Sequence, residues 1–290
     1  MATTTTNPAW DTVAIVGVGL IGGSLGLALQ KRGLAREVIG IGRRAETLRE
    51  ARERGCVTQI STDVARGVAE ARLVILCTPV ETIGSLTRLV AENCPEEAVL
   101  TDVGSTKEQL VAEAEAALAP LTEVVHFVGS HPLAGSEKTG AAHARADLFQ
   151  GRAAIVTPTP NSHAGALAEV RRLWESLGAR VFEMTPVAHD EAVANISHLP
   201  HLLASALAAA TPEEFLPLVA GGWIDTTRIA AGDPELWRQI LSANRGHTLR
   251  ALEQFGKVLE AFRAALAQDD ADQLLRLLQS GKSRRDALGN

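Results

Sequence analysis

The chain has 290 residues, enough for one large or two modest domains with a proper core. Its 46% hydrophobic and 21% charged content is ordinary globular composition and excludes disorder. A formal net charge of -6 argues against nucleic acid or an anionic membrane as partner.

The N-terminal dozen residues are polar and lack the apolar core of a signal peptide, and no run approaches the roughly 20 apolar residues of a membrane span. Residues 13–16 (VAIV) read as a short buried strand running into Gly17-Val18-Gly19-Leu20-Ile21-Gly22 and then a helix ending near Lys31. Strand, GxGxxG and helix in that order form the dinucleotide-binding context. Gly17 is expected to make the tight turn, Gly19 to let the backbone approach a pyrophosphate, and Gly22 to let helix and strand pack closely. The pyrophosphate is expected on the N–H groups of Leu20 and Ile21 at the helix start.

The second strand, 37–41, ends where an acid usually grips the adenosine ribose. Here that place is Gly42, followed by Arg43 and Arg44. A missing carboxylate removes the repulsion of a 2′-phosphate, and two guanidiniums supply donors for it. This favours NADP over NAD; the plainer reading is two solvated arginines at a helix start. Cys56, Cys77 and Cys94 form no CxxC pair, so neither a disulfide framework nor a zinc site is suggested, and Cys77 reads as a small core residue. A reduced, cytoplasmic protein is expected.

A helix over 45–54 and a short strand over 57–60 follow. Continuous apolar strands then come at 73–77, 98–101, 124–128, 153–156 and 178–184, alternating with helical patterns. That alternation predicts a mostly parallel sheet covered by helices, with ligands bound outside the carboxyl ends of its strands. Thr78 and Pro79, Ser105 and His131 each follow a strand and are expected on one rim with the glycine loop. Ser105 also fits the S-x-x-E capping box of a helix over 109–118. His131 precedes Pro132, which holds it extended; it reads either as a proton acceptor or as a satisfied loop histidine.

Beyond Thr185-Pro186, an N-cap with proline at the first helical position, no strand pattern returns. Thr211-Pro212 and Asp233-Pro234 repeat that chemistry, and Leu249, Leu252, Phe255, Leu259, Phe262 and Leu266 recur at helical spacing. The expected division is therefore a dinucleotide-binding domain over 1–184 and an all-helical domain over 185–290, whose surplus of apolar faces points to a partner subunit. In the first helix, 186–210, His198 and His201 share a side and suit an anion or hydroxyl better than a metal, no further ligand being spaced with them. Pro200 inside that helix costs on the order of 3 kcal/mol, which implies a use for the local geometry. Arg228 reads either as an ion pair with Asp225 or as a carboxylate-binding guanidinium.

The runs VGVGLIGGSLGLAL, LCTPV, TDVGSTK, GSHPLAGSEKTG, ISHLPHLLASAL and TTRIAAGDPELW, in that order over nearly the whole chain, resemble the prephenate/arogenate dehydrogenase family of tyrosine biosynthesis. The resemblance implies a Rossmann-type domain followed by an all-α dimerisation domain. It also implies an NAD(P)-dependent oxidative decarboxylation of a cyclohexadienol that carries a ring carboxylate. His131 matches the family's catalytic histidine, the acceptor of the ring-hydroxyl proton, and imidazole suits that role near neutral pH. Ser105 matches the serine that orients this histidine and the substrate. Arg228 and His201 match carboxylate-binding positions, Ser197 lies one turn before His201, and Glu137 matches an acid at the mouth of the site. Asp225 and Trp237 are expected to line the site near the partner, in a homodimer built on the helical domain.

Two departures carry consequences. Gly42-Arg43-Arg44 replaces the acidic strand end of NAD-using members, and with the chain ending at Asn290 no appended regulatory domain is expected. Prephenate and arogenate differ in a keto group against an ammonium; an acid near that group favours arogenate, and Asp190, Glu191 and Asp225 are the candidates. Two further readings stand beside these. One is a β-hydroxyacid dehydrogenase, for which no lysine motif is evident. The other is a non-catalytic nucleotide-binding module, which leaves His131, Ser105 and Arg228 unexplained.

Overall fold

The computed structural model describes residues 8–121, 124–135 and 138–289. Eight strands form one sheet in the order β3-β2-β1-β4-β5-β6-β7-β8. Strands β1 (Trp10–Val16), β2 (Ala35–Ile41), β3 (Gln59–Ser61), β4 (Leu73–Leu76), β5 (Ala98–Asp102) and β6 (Val125–Pro132) run parallel. The chain reverses order between β1 and β4, the place where open α/β sheets form a ligand crevice. β1, β4 and β5 are buried almost throughout because helices cover both faces: α1 (Leu20–Lys31) and α6 (Ala164–Ser176) on one, α4 (Val80–Ala91) and α5 (Glu108–Leu118) on the other. Two helices, α2 (Ala45–Glu53) and α3 (Val64–Val68), complete the crossovers beside β3, which starts two residues later than the apolar run predicts.

Strand β6 joins two registers. Its first half lies parallel to β5 and its second half antiparallel to β7 (Ala153–Thr157), which in turn runs parallel to β8 (Arg180–Glu183). His131 is consequently inside the strand, opposite Ile155, and not in the loop after it. Pro132 keeps His131 extended and so lengthens the strand past the point where the apolar run ends.

Among the described residues only helices and their connections follow. α7 (Pro186–Val193) is capped by Thr185, whose hydroxyl accepts from the Ala188 N–H. The predicted helix over 186–210 is continuous but not uniform: Ala194–His198 is a π-helical turn leading into α8 (Leu199–Ala210). Pro200 has no N–H to give an α-helical ladder, and the wider turn just before it accommodates that loss. Asp233 caps α10 (Pro234–Ala243) as expected. Thr211 does not N-cap a helix; it is the C-cap of α8, and its hydroxyl donates back to the Leu207 carbonyl. α9 (Gly221–Thr227), α11 (Arg245–Ala267) and α12 (Ala271–Asp286) complete the chain.

The 186–210 run, with a mean hydropathy of 1.2 over its best window, is long and apolar enough to cross a membrane, contrary to the expectation that no run comes close. It nevertheless places buried His189, Asp190 and His198 among polar partners and packs against α5 and α11.

Candidate active site

The glycine turn has the shape its sequence predicts. Gly17 has φ +99°, and a Cβ there would stand 2.5 Å from the Cys77 carbonyl oxygen and 3.2 Å from Thr78 Cγ2. Gly22 lies against the turn itself: its Cβ would meet the Gly17 oxygen at 2.1 Å. Gly19, by contrast, has nothing within 4 Å of a Cβ, so the space above the start of α1 is free for a ligand. Leu20 and Ile21 open α1, and no acidic side chain lies in its first turn. This is a fit for a dinucleotide pyrophosphate: open N–H groups at a helix N-terminus, with no carboxylate to repel it. Thr78 and Pro79 follow β4 on the same edge, the Thr78 hydroxyl accepting from Thr82. Arg43 and Arg44 are exposed at the end of β2, where Arg44 precedes α2 in an extended conformation.

Asp102, fully buried at the end of β5, organises the next loop. Its carboxylate accepts from the Gly104 N–H at 2.7 Å, the Ser130 N–H at 3.1 Å and Lys107 Nζ at 2.5 Å. Lys107 is fully buried as well. Burial pushes its ammonium below the ordinary lysine value, while Asp102 and Asp190 pull it back up. Removing either member of a buried pair leaves an uncompensated charge, a loss of about 3–5 kcal/mol.

Ser105, partly buried in this loop, does not cap α5. The Lys107 and Glu108 N–H groups donate instead to Asp190 of α7, at 2.7 and 2.9 Å. A carboxylate from the second domain thus takes the place that the S-x-x-E pattern assigns to the serine.

His131 meets the same α7 carboxylate through an intermediary. Its Nδ1 is 2.9 Å from His189 Nε2, and His189 Nδ1 is 2.7 Å from Asp190 Oδ1. Burial holds the His131 imidazole well below its ordinary pKa, and His189, Lys107 and His198 add repulsion. His189 is lowered as well, again mainly by burial. Burial opposes ionisation of Asp190, but the bonds from His189, Glu108 and Lys107 outweigh it and hold the carboxyl below its usual range. The three groups therefore rest as two neutral rings and one carboxylate.

The histidines of the next turns form a second cluster. Asn244 Nδ2 donates to the Asp190 carbonyl at 2.8 Å and lies 3.1 Å from His198 Nδ1. A carbonyl can only accept, so this amide nitrogen is a donor to both, and His198 carries its proton on Nε2. Burial lowers the His198 pKa to about 4. His201 stacks on Trp237 with ring centroids 3.6 Å apart, and His198 meets the same indole edge-on. His201 Nδ1 is buried without a hydrogen-bond partner. Such a group costs roughly 1–3 kcal/mol unless something else satisfies it, which suits a ligand atom. Ser197 is partly buried in the π turn. Arg228 is exposed just after α9, three residues beyond exposed Asp225. Glu137 lies outside the described residues.

A cavity of about 470 Å³ opens beside the glycine loop, lined by Leu20, Leu133, Ala134, Gly135, Arg145 and Arg152 among others. The sequence pattern singled out His131 and His201 but not His189, Lys107 or Asn244, and it treated Asp190 only as an acid for a substrate ammonium. Asp190 is not available for that: it is 1% exposed and committed to His189 and α5. The signal that could have drawn notice was His189-Asp190, an ionisable pair inside a helix otherwise apolar enough to span a bilayer.

Comparison with known proteins decides the family. The model of the prephenate dehydrogenase nucleotide-binding domain matches residues 25–183, and that of the prephenate dehydrogenase dimerization domain matches 185–280. The chain belongs to the prephenate dehydrogenase family. It is 36% identical to prephenate dehydrogenase of Bacillus subtilis (strain 168) over 97% of this chain and 77% of that protein. A crystal structure of Aquifex aeolicus prephenate dehydrogenase in complex with hydroxyphenyl propionate and NAD+ superimposes with a TM-score of 0.88, at 32% identity, covering 96% of this chain and 98% of that one. Synechocystis arogenate dehydrogenase superimposes with a TM-score of 0.82, at 30% identity, over 96% and 99% of the two chains. As a member of this family the protein is an oxidoreductase with a nucleotide-binding domain and a helical C-terminal domain.

Proposed function

We propose that this dehydrogenase converts prephenate to 4-hydroxyphenylpyruvate in tyrosine biosynthesis, with NADP as the favoured oxidant and NAD as the alternative. The observation that carries the reading is His131, neutral and held at the end of β6, on the edge where the glycine turn leaves room for a dinucleotide. A bound nicotinamide supplies the hydride acceptor. His131 takes the proton of the ring hydroxyl as the hydride leaves the same carbon, which makes a carbonyl. The ring carboxylate then departs as CO2, its bonding electrons aromatise the ring, and His131 returns the proton to the phenol oxygen. No proton is released overall, and aromatisation makes the sequence irreversible.

Ser105, on the loop fixed by Asp102, orients His131 and the substrate. His201, with its unpartnered nitrogen, together with Ser197, Arg228 and Glu137, holds the carboxylates. Leu20, Ile21 and the three motif glycines hold the pyrophosphate, Thr78 and Pro79 border it, and Arg43 and Arg44 receive a 2′-phosphate. The domains divide at 184/185. A second copy covers the helical domain, whose Leu249, Leu252, Leu259 and Leu266 are exposed along α11. The soluble cytoplasm is the proposed compartment.

Arogenate is the second reading, favoured by the similarity to the Synechocystis enzyme. With Asp190 committed elsewhere, Asp225, exposed on α9, and Glu191, exposed on α7, are the acids left for its ammonium. The test is to supply purified protein with prephenate or arogenate, each with NAD or NADP, and follow absorbance of the reduced nicotinamide. Turnover of prephenate with NADP above the other pairs is expected. A preference for arogenate replaces the first reading with the second, and no turnover with any pair overturns both.

A further inference from the structure

We infer that His189 and Asp190 set the tautomer of His131, placing its proton on Nδ1 and its lone pair on Nε2, the nitrogen that faces substrate. The chain of reasoning begins at Asp190. The backbone N–H groups of Lys107 and Glu108, at the start of α5, point at its carboxylate, one on each oxygen, at 2.7 and 2.9 Å. An ionised carboxylate only accepts, so the 2.7 Å contact with His189 Nδ1 is a bond donated by His189. A neutral imidazole has one N–H, so His189 Nε2 is an acceptor. The atom facing it at 2.9 Å, His131 Nδ1, must therefore be the donor. His131 Nε2, on the opposite side of the ring, is left with the lone pair.

The arrangement is enclosed. His189 and Asp190 are 0% and 1% exposed, so bulk water does not compete for these bonds. The charged and titratable groups facing the pair are Lys107 from the start of α5, Asp102 from β5 and His198 from the π turn. The Lys107 ammonium next to these rings disfavours a second proton on either of them, which keeps His189 an acceptor. This inference rests on His131 being the base for the ring hydroxyl, and it makes His189 a positioning residue that acts through His131. A histidine with its proton on the wrong nitrogen offers substrate a donor where an acceptor is required, the defect that cripples a base whose orienting carboxylate is lost.

Two variants separate the role from mere packing. His189→Gln places an amide oxygen near the former Nε2 and can still accept from His131; His189→Leu cannot. Long-range ¹⁵N–¹H spectra of the full-length protein, ¹⁵N-labelled at histidine, read the tautomer directly. The proton is expected on His131 Nδ1 in the wild type and in His189→Gln, and shifted toward Nε2 in His189→Leu. In kinetics, His189→Leu is expected to lower kcat roughly 10- to 100-fold, the scale of losing a partner that orients a functional histidine. KM for the dinucleotide is expected to stay unchanged and His189→Gln to keep most of the rate. A wild-type His131 protonated on Nε2 overturns the proposal. So does equal loss of kcat in both variants with the tautomer unaltered, which is the signature of packing alone. Because the spectra need no substrate, they decide the matter even if no pair of substrate and dinucleotide turns over.

Discussion

The role proposed for His131 as the base depends on what surrounds it. A proton acceptor works only when uncharged, and burial beside His189 and Lys107 pushes its pKa well below the ordinary imidazole value. The sign of the pH effect follows: the deprotonated form persists as pH falls through 6.5, and activity is lost only below that. The acid limb of log kcat/KM is expected to bend below pH 6.5, as a profile over pH 4.5 to 8.5 checks. A bend at or above 6.5 contradicts this environment. His131→Asn is expected to lower kcat by roughly 10²–10⁴ with little change in dinucleotide affinity. At this scale the sequence was informative where chemistry is local. A histidine before proline at a strand end, and three glycines at fixed spacing, carry their meaning within a few residues. His189 does not, because its partner lies 58 positions away and no nearby pattern encodes the contact.

At the level of elements, α5 and α7 form a joint. The Asp190 carboxylate closes the first turn of α5, where the exposed dipole end favours negative charge, and it does so from a helix 82 positions further along the chain. Sequence reading gave that duty to Ser105 through the S-x-x-E pattern, a reasonable rule for an isolated helix that tertiary structure has overridden. The difference is measurable. Asp190→Ala is expected to destabilise the protein by about 2–3 kcal/mol, the loss of charge-assisted bonds to buried donors. Ser105→Ala is expected to change stability by less than about 0.5 kcal/mol, as for a residue without a capping role. Urea midpoints of the two variants decide between them; a larger loss for Ser105→Ala restores the capping box. Pro200 is a second case. The sequence marked a break in a helix, and the break takes the form of a π turn that carries Ser197 and His198 on its wider coil.

For the molecule as a whole, the imidazoles limit stability in acid. His131, His189, His198 and His201 all have pKa values below ordinary histidine. Protonation is therefore easier in the unfolded chain, and folding free energy that is intact above pH 6.5 declines as pH falls toward the folded values. His198 alone, at about 4, accounts for on the order of 3 kcal/mol across that interval. Denaturant midpoints are expected to fall steadily between pH 6.5 and 4.5; a flat profile contradicts buried neutral histidines. Oligomeric state is set at the same scale. Leu249 is 54% exposed, Leu259 57% and Leu266 66%, an apolar stripe that no described residue covers. Leu259→Glu is expected to convert a dimer into monomers by sedimentation at micromolar concentration, and a wild-type protein that sediments as a monomer refutes the proposed interface. The stripe was legible as helical periodicity. What covers it was legible only as a surplus, because a single chain's sequence does not distinguish a face buried in its own core from one buried in a neighbour.

The contact between His201 and Trp237 has a spectroscopic consequence. The chain contains four tryptophans and no tyrosine, so its ultraviolet emission arises from indoles alone. Trp174 is sealed in the core against Ser130 and Phe149, whereas Trp237 lies flat on the His201 imidazole, whose Nδ1 has no hydrogen-bond partner. A charged imidazole in face contact quenches an excited indole far more than a neutral one. An anion that binds at His201 as proposed, and draws a proton to it, is therefore expected to dim one indole among four, a change in emission that a titration without label or turnover reads; unchanged emission on saturation counts against His201 as the anion site.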